Sequence, residues 1–345
     1  MVMKKIIGKC LMLALCFAMV GNVADAQAKK KRTVKKRTTA KKTTNSRTRS
    51  NINPALKADT ALVMAPAKID SLPIPIVKKS LRPNDAIERN LVTERTPLPY
   101  EHLREDDAVY RQKVWREIDT REKMNLPFRY SANDNNGNQR FISILFKAIQ
   151  DGPDNGGVTV FNQVDDRFTT PMTVAEVAKA VSGGSVSVPI YDSLGNVTGY
   201  KETVAEVNLD SFYKFHIKEE VIFDKESSRL FWRILGIAPV KNVITSQGLD
   251  LGETELFWVY YPDMRPIFAK YEVYNSKNYG ARMSWEELFE SRMFYGRIIK
   301  STLDNPFDQL LSQQQGLKDS RILQLLEGEN IKDKIFNYEQ NLWSY

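Results

Sequence analysis

Apolar side chains recur four residues apart near the start of the region that is expected to fold. Tyr110, Val114 and Ile118 have this spacing, which is typical of one face of an α-helix and predicts a helix over residues 105–124. The acidic pair at 106–107 suits the positive N-terminal end of such a helix. We therefore expect the first element of the folded region to be helical.

A second helix and a series of strands follow from the same kind of pattern. Phe141, Leu145 and Ile149 lie on one face of a helix predicted over residues 139–149. Runs with strand composition occur at residues 158–161, 185–191, 197–204, 212–223, 230–237 and 256–261. The second and third of these runs are joined by Asp-Ser-Leu-Gly-Asn, a turn sequence that predicts a β-hairpin.

Two sequences with capping-box spacing predict shorter helices. Thr173 and Glu176 would open a helix that ends near Val181, and Ser284 and Glu287 would open another. The second is supported by an apolar stripe of Trp285, Leu288, Phe289 and Met293. Helices mixed with mostly antiparallel strands indicate an α+β fold.

The main core is expected in the second half of the chain, within a core domain at residues 101–305. Of the 35 aromatic residues, 18 fall within residues 212–295, and aromatic side chains dominate core packing. Gly183-Gly184 marks where a division into two subdomains would fall. The Gln-rich segment 306–345 is predicted to be weakly helical. It carries Ile322, Leu323, Leu325 and Leu326, then Ile331, Ile335 and Leu342, and it could pack back or dock on a partner.

Residues 51–100 carry seven of the fifteen prolines, which is the composition of an extended arm. Each proline pushes the residue before it towards extended geometry, so the Leu-Pro-Ile-Pro-Ile run at 72–76 cannot be helical. An arm of this kind packs either on its own domain or on a neighbouring subunit.

The first 26 residues have the three parts of a secretory signal peptide. Lys4, Lys5 and Lys9 precede an apolar run, and Ala-Asp-Ala at 24–26 is a cleavage site, so the mature chain is expected to begin at Gln27. The run is too short to span a bilayer. Attachment of a lipid at Cys16 is rejected because the bulky Leu15 precedes it.

Both cysteines of the chain, Cys10 and Cys16, lie in this segment, so disulfides and thiolate chemistry are excluded from the mature chain.

The formal net charge of +8 is concentrated in a basic tail at residues 27–50, which we expect to be disordered. The tail has eleven Lys and Arg and no acid. Removing its +11 and the signal peptide's +2 from the total leaves −5 for residues 51–345. The tail contains no aromatic residue, which argues against nucleic-acid binding. Three interpretations of the tail remain. It contacts anionic lipid, it contacts an acidic partner surface, or it is a solvated leader.

Candidate chemistry is sparse. The two histidines, His102 and His216, have no metal-site spacing, and His216 lies in an alternating strand where a surface position is expected. The loop at 134–137 resembles part of a calcium loop, but Ala132 and Ser143 would occupy its first and twelfth ligand positions. A polar turn is the better interpretation.

Neither a nucleophile motif nor a phosphate-binding loop is found, and Ser-Gly-Gly-Ser at 182–185 reads as a turn. Paired carboxylates could serve glycoside hydrolysis, and the acidic pairs are Asp106-Asp107, Asp165-Asp166, Glu219-Glu220 and Glu286-Glu287. Two of the pairs stand at predicted helix N-termini, where negative charge is expected anyway. We therefore predict no catalytic, cofactor-binding or metal site, and no cofactor.

Three motifs carry a resemblance to a known family. The sequence VWREIDTREKMNLP at 114–127, FWVYYP at 257–262 followed by Arg265-Pro266, and WEELFE at 285–290 resemble the PorN/GldN family, the gliding-motility N proteins of the type IX secretion system. The resemblance covers about residues 106–299, and the chain with its tail is similar to the PorN branch. Thr120 stands where the family pattern has leucine.

The resemblance implies a periplasmic protein without catalytic residues, associated peripherally with the outer membrane. It implies assembly with an outer-membrane lipoprotein of the PorK/GldK type into a large ring, with self-association in that ring. It also implies contact with the periplasmic part of a PorM/GldM-type motor protein. The first hypothesis is therefore a structural subunit of a secretion machine. The alternative is a periplasmic carboxylate-based hydrolase or ligand-binding protein.

Overall fold

The computed structural model describes residues 71–75, 78, 80–82, 86, 95–134, 137–182, 185–193, 197–204, 206–244, 250–275, 277 and 282–343. The predicted signal peptide, the basic tail and most of the proline-rich arm lie outside these residues. The described residues all belong to one compact unit, which spans Ala61–Tyr345.

Twelve strands and five α-helices are assigned in the described residues. The strands are β1 (Ala108–Asp119), β2 (Asn133–Asp134), β3 (Gly137–Asn138), β4 (Val160–Asn162), β5 (Pro171–Met172), β6 (Ser185–Tyr191), β7 (Val197–Val204), β8 (Lys214–Asp224), β9 (Arg229–Ile244), β10 (Asp250–Glu255), β11 (Phe257–Tyr260) and β12 (Arg297–Ser301). The helices are α1 (Phe141–Asp151), α2 (Val174–Ser182), α3 (Tyr261–Phe268), α4 (Trp285–Glu290) and α5 (Arg321–Trp343). Short 3₁₀ turns occupy Glu105–Asp107, Lys123–Arg129, Pro153–Asn155 and Leu209–Ser211.

One eight-stranded sheet dominates the fold, and the pairings recorded in it are antiparallel. The strand order is β12-β1-β8-β9-β11-β4-β5, with β10 pairing β9. The pairs β2-β3 and β6-β7 form separate two-stranded sheets. The predicted α+β class, with mostly antiparallel strands, is confirmed.

The helix predicted over residues 105–124 is wrong, because this segment is strand β1. Residues four apart share a face in a strand as well as in a helix, so the spacing of Tyr110, Val114 and Ile118 fits both. The strand pairs antiparallel with β8 on one side and with β12 on the other. Thr120, just after it, is buried and donates its hydroxyl to the Tyr213 carbonyl at 3.0 Å, which satisfies its polar group.

Other predicted elements are confirmed with small shifts at their ends. The hairpin forms as predicted from β6 and β7, and the strands predicted at 158–161, 212–223, 230–237 and 256–261 correspond to β4, β8, β9 and β11. The helix predicted at 139–149 is α1, and both capping boxes open helices. In the second box, Glu287 N–H donates to Ser284 Oγ at 3.1 Å and Ser284 N–H donates to Glu287 Oε2 at 2.8 Å.

The main core lies between one face of the sheet and the helices. Its aromatic centre joins Phe215, Trp285 and Phe289 to Phe128 and Phe141, with ring centroids between 4.8 and 6.3 Å apart. The last two rings come from outside residues 212–295. The core is therefore shared between both halves of the chain rather than confined to the second.

Helix α5 covers the β12 end of the same face. Its inner side buries Ile331 and Ile335, and a second apolar cluster forms where they meet the sheet. Gly328 allows the close approach, because a Cβ at this position would lie only 3.0 Å from the Ile298 carbonyl oxygen. Tyr338 stacks on Tyr110 of β1 with ring centroids 4.0 Å apart.

The described residues of the proline-rich arm contact their own chain. Leu72 is buried in the main core, and the Pro73 carbonyl accepts a hydrogen bond from Val207 N–H at 3.0 Å. Residues 95–100 form a second contact, the strap, which runs beside α4. Arg95 pairs with Glu287 at 3.1 Å, and Leu98 N–H donates to Glu286 at 3.0 Å. The sequence left two alternatives for the arm, packing on its own domain or on a neighbouring subunit. The described residues of the arm pack on their own domain.

Candidate functional site

His216 is mostly buried instead of lying on the surface, because the side chains of Glu255 and Glu117 pack beside its ring. Only 14% of its side chain is exposed. Its Nδ1 lies 2.7 Å from Glu255 Oε1, and its Nε2 lies 3.7 Å from Glu117 Oε2. Lys214 donates to the same Glu117 oxygen at 3.2 Å. The prediction that His216 is a surface residue is therefore wrong.

These carboxylates favour the charged form of the imidazole. Burial alone lowers the pKa of His216, but its hydrogen bonds to Glu117 and Glu255 outweigh burial and raise the pKa to about 8. Burial likewise raises the pKa of Glu117, while His216 and Lys214 outweigh it and lower that pKa to about 2. A histidine held in the charged form by two acids is an ion-pair centre and is poorly placed to act as a general base.

The acidic pair at 219–220 is divided between the two faces of β8. Glu219 points into the interior, where none of its side chain is exposed, and it accepts from Arg116 Nε at 2.8 Å and Arg292 at 3.0 Å. Glu220 lies on the other face and pairs with Arg111 at 2.8 Å. Adjacent residues of a strand cannot serve one cleft together, because they point in opposite directions.

The pair at 286–287 is used to hold the strap. Glu286 is buried and pairs with Arg265 at 2.7 Å, while Glu287 completes the capping box. Tyr100 of the strap donates to Glu290 at 2.6 Å, and the Arg265 guanidinium lies 3.5 Å from the Tyr100 ring centroid. Burial, followed by the hydrogen bond to Glu290, raises the pKa of Tyr100 above its ordinary value.

The remaining two acidic pairs also lie in a turn or in contacts within the fold. Asp106 and Asp107 lie in the short 3₁₀ turn before β1. Asp165 pairs with Arg167 in a loop at 3.1 Å. Asp166 accepts from Trp115 Nε1 at 2.7 Å and lies 3.4 Å from Lys218 Nζ. Within the described residues, no two of the four acidic pairs line a common cleft.

Other sequence candidates show no ligand geometry. The described part of the loop that resembles a calcium site contributes to the small β2-β3 pair, and residues 135–136 and 183–184 lie outside the described residues. Ser182 ends α2, and His102 is exposed. Among the described residues, no three His, Cys, Asp or Glu are grouped so that they could hold a metal ion. Within the same residues, no helix has the length and apolar character needed to cross a membrane.

An apolar groove of about 830 Å³ opens beside the 3₁₀ turn Lys123–Arg129. Met124, Leu126 and Met293 line it and are each about half exposed. Its charged lining residues among those that the structure describes are Lys123, Arg129 and Lys277, and no carboxylate is among them. Sequence patterns did not reveal this groove, since its residues come from three separate segments. Leu288 and Met293 had been singled out only as helix-stripe residues, and residues 123–127 only as part of a family motif.

The outer face of α5 is a second surface of this kind. Ile322 is 72% exposed, and Leu325 and Leu326 are 44% and 53% exposed. These residues lie at positions i, i+3 and i+4 on the side of the helix opposite to Ile331 and Ile335. A helix that is apolar on both sides is normally covered on both sides. The sequence had indicated that the C-terminal segment packs back or docks on a partner. Its Ile331 and Ile335 pack back on the sheet, whereas Ile322, Leu325 and Leu326 stay exposed.

Most of the acidic candidates and His216 lie in ion pairs, and the described surface includes two exposed apolar areas, the groove and the outer face of α5. A comparison with protein families assigns the chain to a family. The family model described as "Gliding motility associated protein GldN" matches residues 103–344, about two thirds of the chain. The chain belongs to the GldN family, a structural family associated with gliding motility and type IX secretion. Comparison with curated proteins gives no match.

Proposed function

We propose that this protein is a non-enzymatic, periplasmic structural subunit of the type IX secretion and gliding-motility machinery. In this proposal it assembles with an outer-membrane lipoprotein of the PorK/GldK type into a large ring. It is held at the outer membrane by that lipoprotein and contacts the periplasmic part of a PorM/GldM-type motor protein.

The observation that carries the proposal is the exposed apolar outer face of α5. Burial of apolar surface is the main favourable term in protein association, at roughly 25 cal/mol per Å² before the costs of binding are subtracted. Three aliphatic side chains on adjacent turns of one helix are therefore an expected partner contact. The groove lined by Met124, Leu126 and Met293 adds a second surface of the same kind.

The arrangement of the carboxylates supports the same proposal against the hydrolase alternative. A glycosidase needs two carboxyl groups on either side of its substrate, about 5 to 9.5 Å apart, with one able to donate a proton. Here Glu219 and Glu286 are buried against arginines, and Glu117 has a pKa lowered to about 2. Groups paired in this way are poor proton donors near neutral pH.

The first experiment is to measure the native size of the protein after gentle detergent extraction of the cell envelope, with co-purifying proteins identified by mass spectrometry. A megadalton-scale particle that contains a lipoprotein supports the proposal. A free species of about 37 kDa, the mass expected without the signal peptide, contradicts it.

Matched variants separate assembly from folding. Ile322→Ala removes an exposed side chain of α5 and should reduce the yield of the large particle while the melting temperature stays within about 2 °C of the parent, since surface substitutions change stability by under about 0.5 kcal/mol. His216→Ala should leave secretion intact if the variant folds, because no chemistry is assigned to His216. Loss of secretion in a well-folded His216→Ala protein would contradict the non-enzymatic proposal.

A further inference from the structure

We propose that the outer face of α5 from one copy of the chain docks in the groove of a second copy. The helix contributes Ile322, Leu325 and Leu326, and the groove contributes Met124, Leu126 and Met293. This inference rests on the ring assembly proposed above, in which copies of the chain are neighbours, and it names the two surfaces that meet.

The helix face has the spacing of a groove-binding helix. Ile322, Leu325 and Leu326 stand at i, i+3 and i+4, three of the four anchor positions by which amphipathic helices enter apolar grooves, and the fourth position is occupied by Glu329. The helix cannot rotate to bury these residues in its own chain, because its other side is fixed by Ile331 and Ile335 in the second apolar cluster. The exposed side chains therefore stay available to another molecule.

The groove matches this face in chemical character. Met124, Leu126 and Met293 are 53%, 51% and 49% exposed. Methionine side chains adapt their shape to the residues that pack against them, and they are frequent in grooves that receive helices. The volume of about 830 Å³ is far larger than one side chain needs, so several anchors of one helix can enter together.

Charge also favours the second copy as the occupant. The groove carries Lys123, Arg129 and Lys277, and the described part of its lining contains no carboxylate. The outer face of α5 carries Glu329 and Asp333 one and two turns beyond Leu326, at positions that continue the same stripe. Glu329 pairs with Lys332 of its own helix at 3.1 Å, but this pair is exposed and contributes little stability, so a cation of the groove can replace Lys332. Acidic groups on the helix would then stand opposite cations of the groove, which gives orientation and specificity to the contact. The basic tail is a poor occupant, since its eleven cations would be repelled.

Joining two different surfaces fixes the kind of assembly. A contact between unlike patches is heterologous, so each copy presents a free helix on one side and a free groove on the other. Such head-to-tail contacts close into a ring when the rotation per subunit allows it, and they otherwise form a filament. A symmetric dimer would instead place the same patch of both copies in contact.

The test uses a photo-crosslinking benzophenone amino acid at position 326 in the full-length chain, expressed in cells. The expected product has twice the mass of the protein, and peptide mapping joins residue 326 to a peptide containing Met124 or Met293. A crosslink to α5 of another copy, or to a different protein, overturns the inference. Absence of any crosslink in an assembled particle also overturns it.

Charge reversal provides an independent measurement. Lys123→Glu or Glu329→Lys alone should reduce the crosslink yield about two- to fivefold, as expected for an exposed ion pair, and the double reversal should restore it. Lys225→Glu is the matched control, because Lys225 is an exposed lysine that does not line the groove. Equal losses in all three single variants, or no recovery in the double variant, would argue against the proposed pairing.

The size of the particle, measured on the same extracts, distinguishes the two proposals. A large particle containing a lipoprotein without the 326-to-groove crosslink overturns only the docking geometry. A free species of about 37 kDa overturns the ring-subunit proposal and, with it, the docking of neighbouring copies.

Discussion

Replacing His216 by glutamine removes a pH-dependent part of the stability of this fold. The imidazole lies between Glu255 and Glu117, and these hydrogen bonds hold its pKa at about 8 against an ordinary value of 6.5. That difference corresponds to about 2 kcal/mol of extra stability when the histidine is charged.

The direction of the effect follows from the raised pKa. The contribution is fully present below pH 6.5 and is lost as the pH rises through about 8. The parent protein should therefore lose about 2 kcal/mol between pH 6 and pH 9, or about 4–8 °C of melting temperature for a domain of this size. Glu117 changes charge below pH 4.5, outside this window.

The assay is thermal and urea denaturation of the parent, His216→Gln and His102→Gln, each at pH 6 and pH 9. His216→Gln should be less stable than the parent at pH 6 and close to it at pH 9, apart from any constant packing difference. His102→Gln, at an exposed position, should follow the parent. A deficit in His216→Gln that is the same at both pH values would refute the reasoning.

Three further outcomes test the packing. Arg116→Met leaves a buried carboxylate with one fewer cation and should lower the free energy of unfolding by about 3–5 kcal/mol, whereas Arg111→Met, at a more exposed ion pair, should cost under about 1 kcal/mol in urea denaturation. Ile335→Ala should cost about 2–5 kcal/mol in the same assay, because this side chain is fully buried. Gly236→Ala should lower the melting temperature, since its Cβ would lie 2.6 Å from a phenylalanine ring; an unchanged value would contradict the observed packing.

Local sequence patterns predicted the elements that depend on local chemistry. The hairpin β6-β7 and the capping box before α4 are each specified within a few residues, and both were found where they were expected. Strand β1 was missed because a spacing of four fits both secondary structures, and only pairing with β8 and β12 decides between them. Helix α3 was missed because it contains Pro262 and Pro266; the first is tolerated in the opening turn of a helix.

The candidate surfaces were predictable only in part. The exposed aliphatic residues of α5 could be read from the sequence, because they occupy consecutive turns of one helix. The groove could not, since Met124, Tyr274 and Met293 are brought together only by the tertiary fold. The burial of His216 depends in the same way on Glu255, 39 residues further along the chain.

The strap and the edge of the sheet have a consequence for the order in which the chain can fold. Tyr100 bonds to Glu290 across 190 residues of sequence, and Val114 of β1 pairs with Ser301 of β12. Contacts between such distant segments are formed late and slow folding. A polypeptide that emerges from its N-terminus, from a ribosome or through a translocation channel, therefore carries an incomplete sheet until residue 301 has appeared. The early segments must be kept from aggregating during that interval.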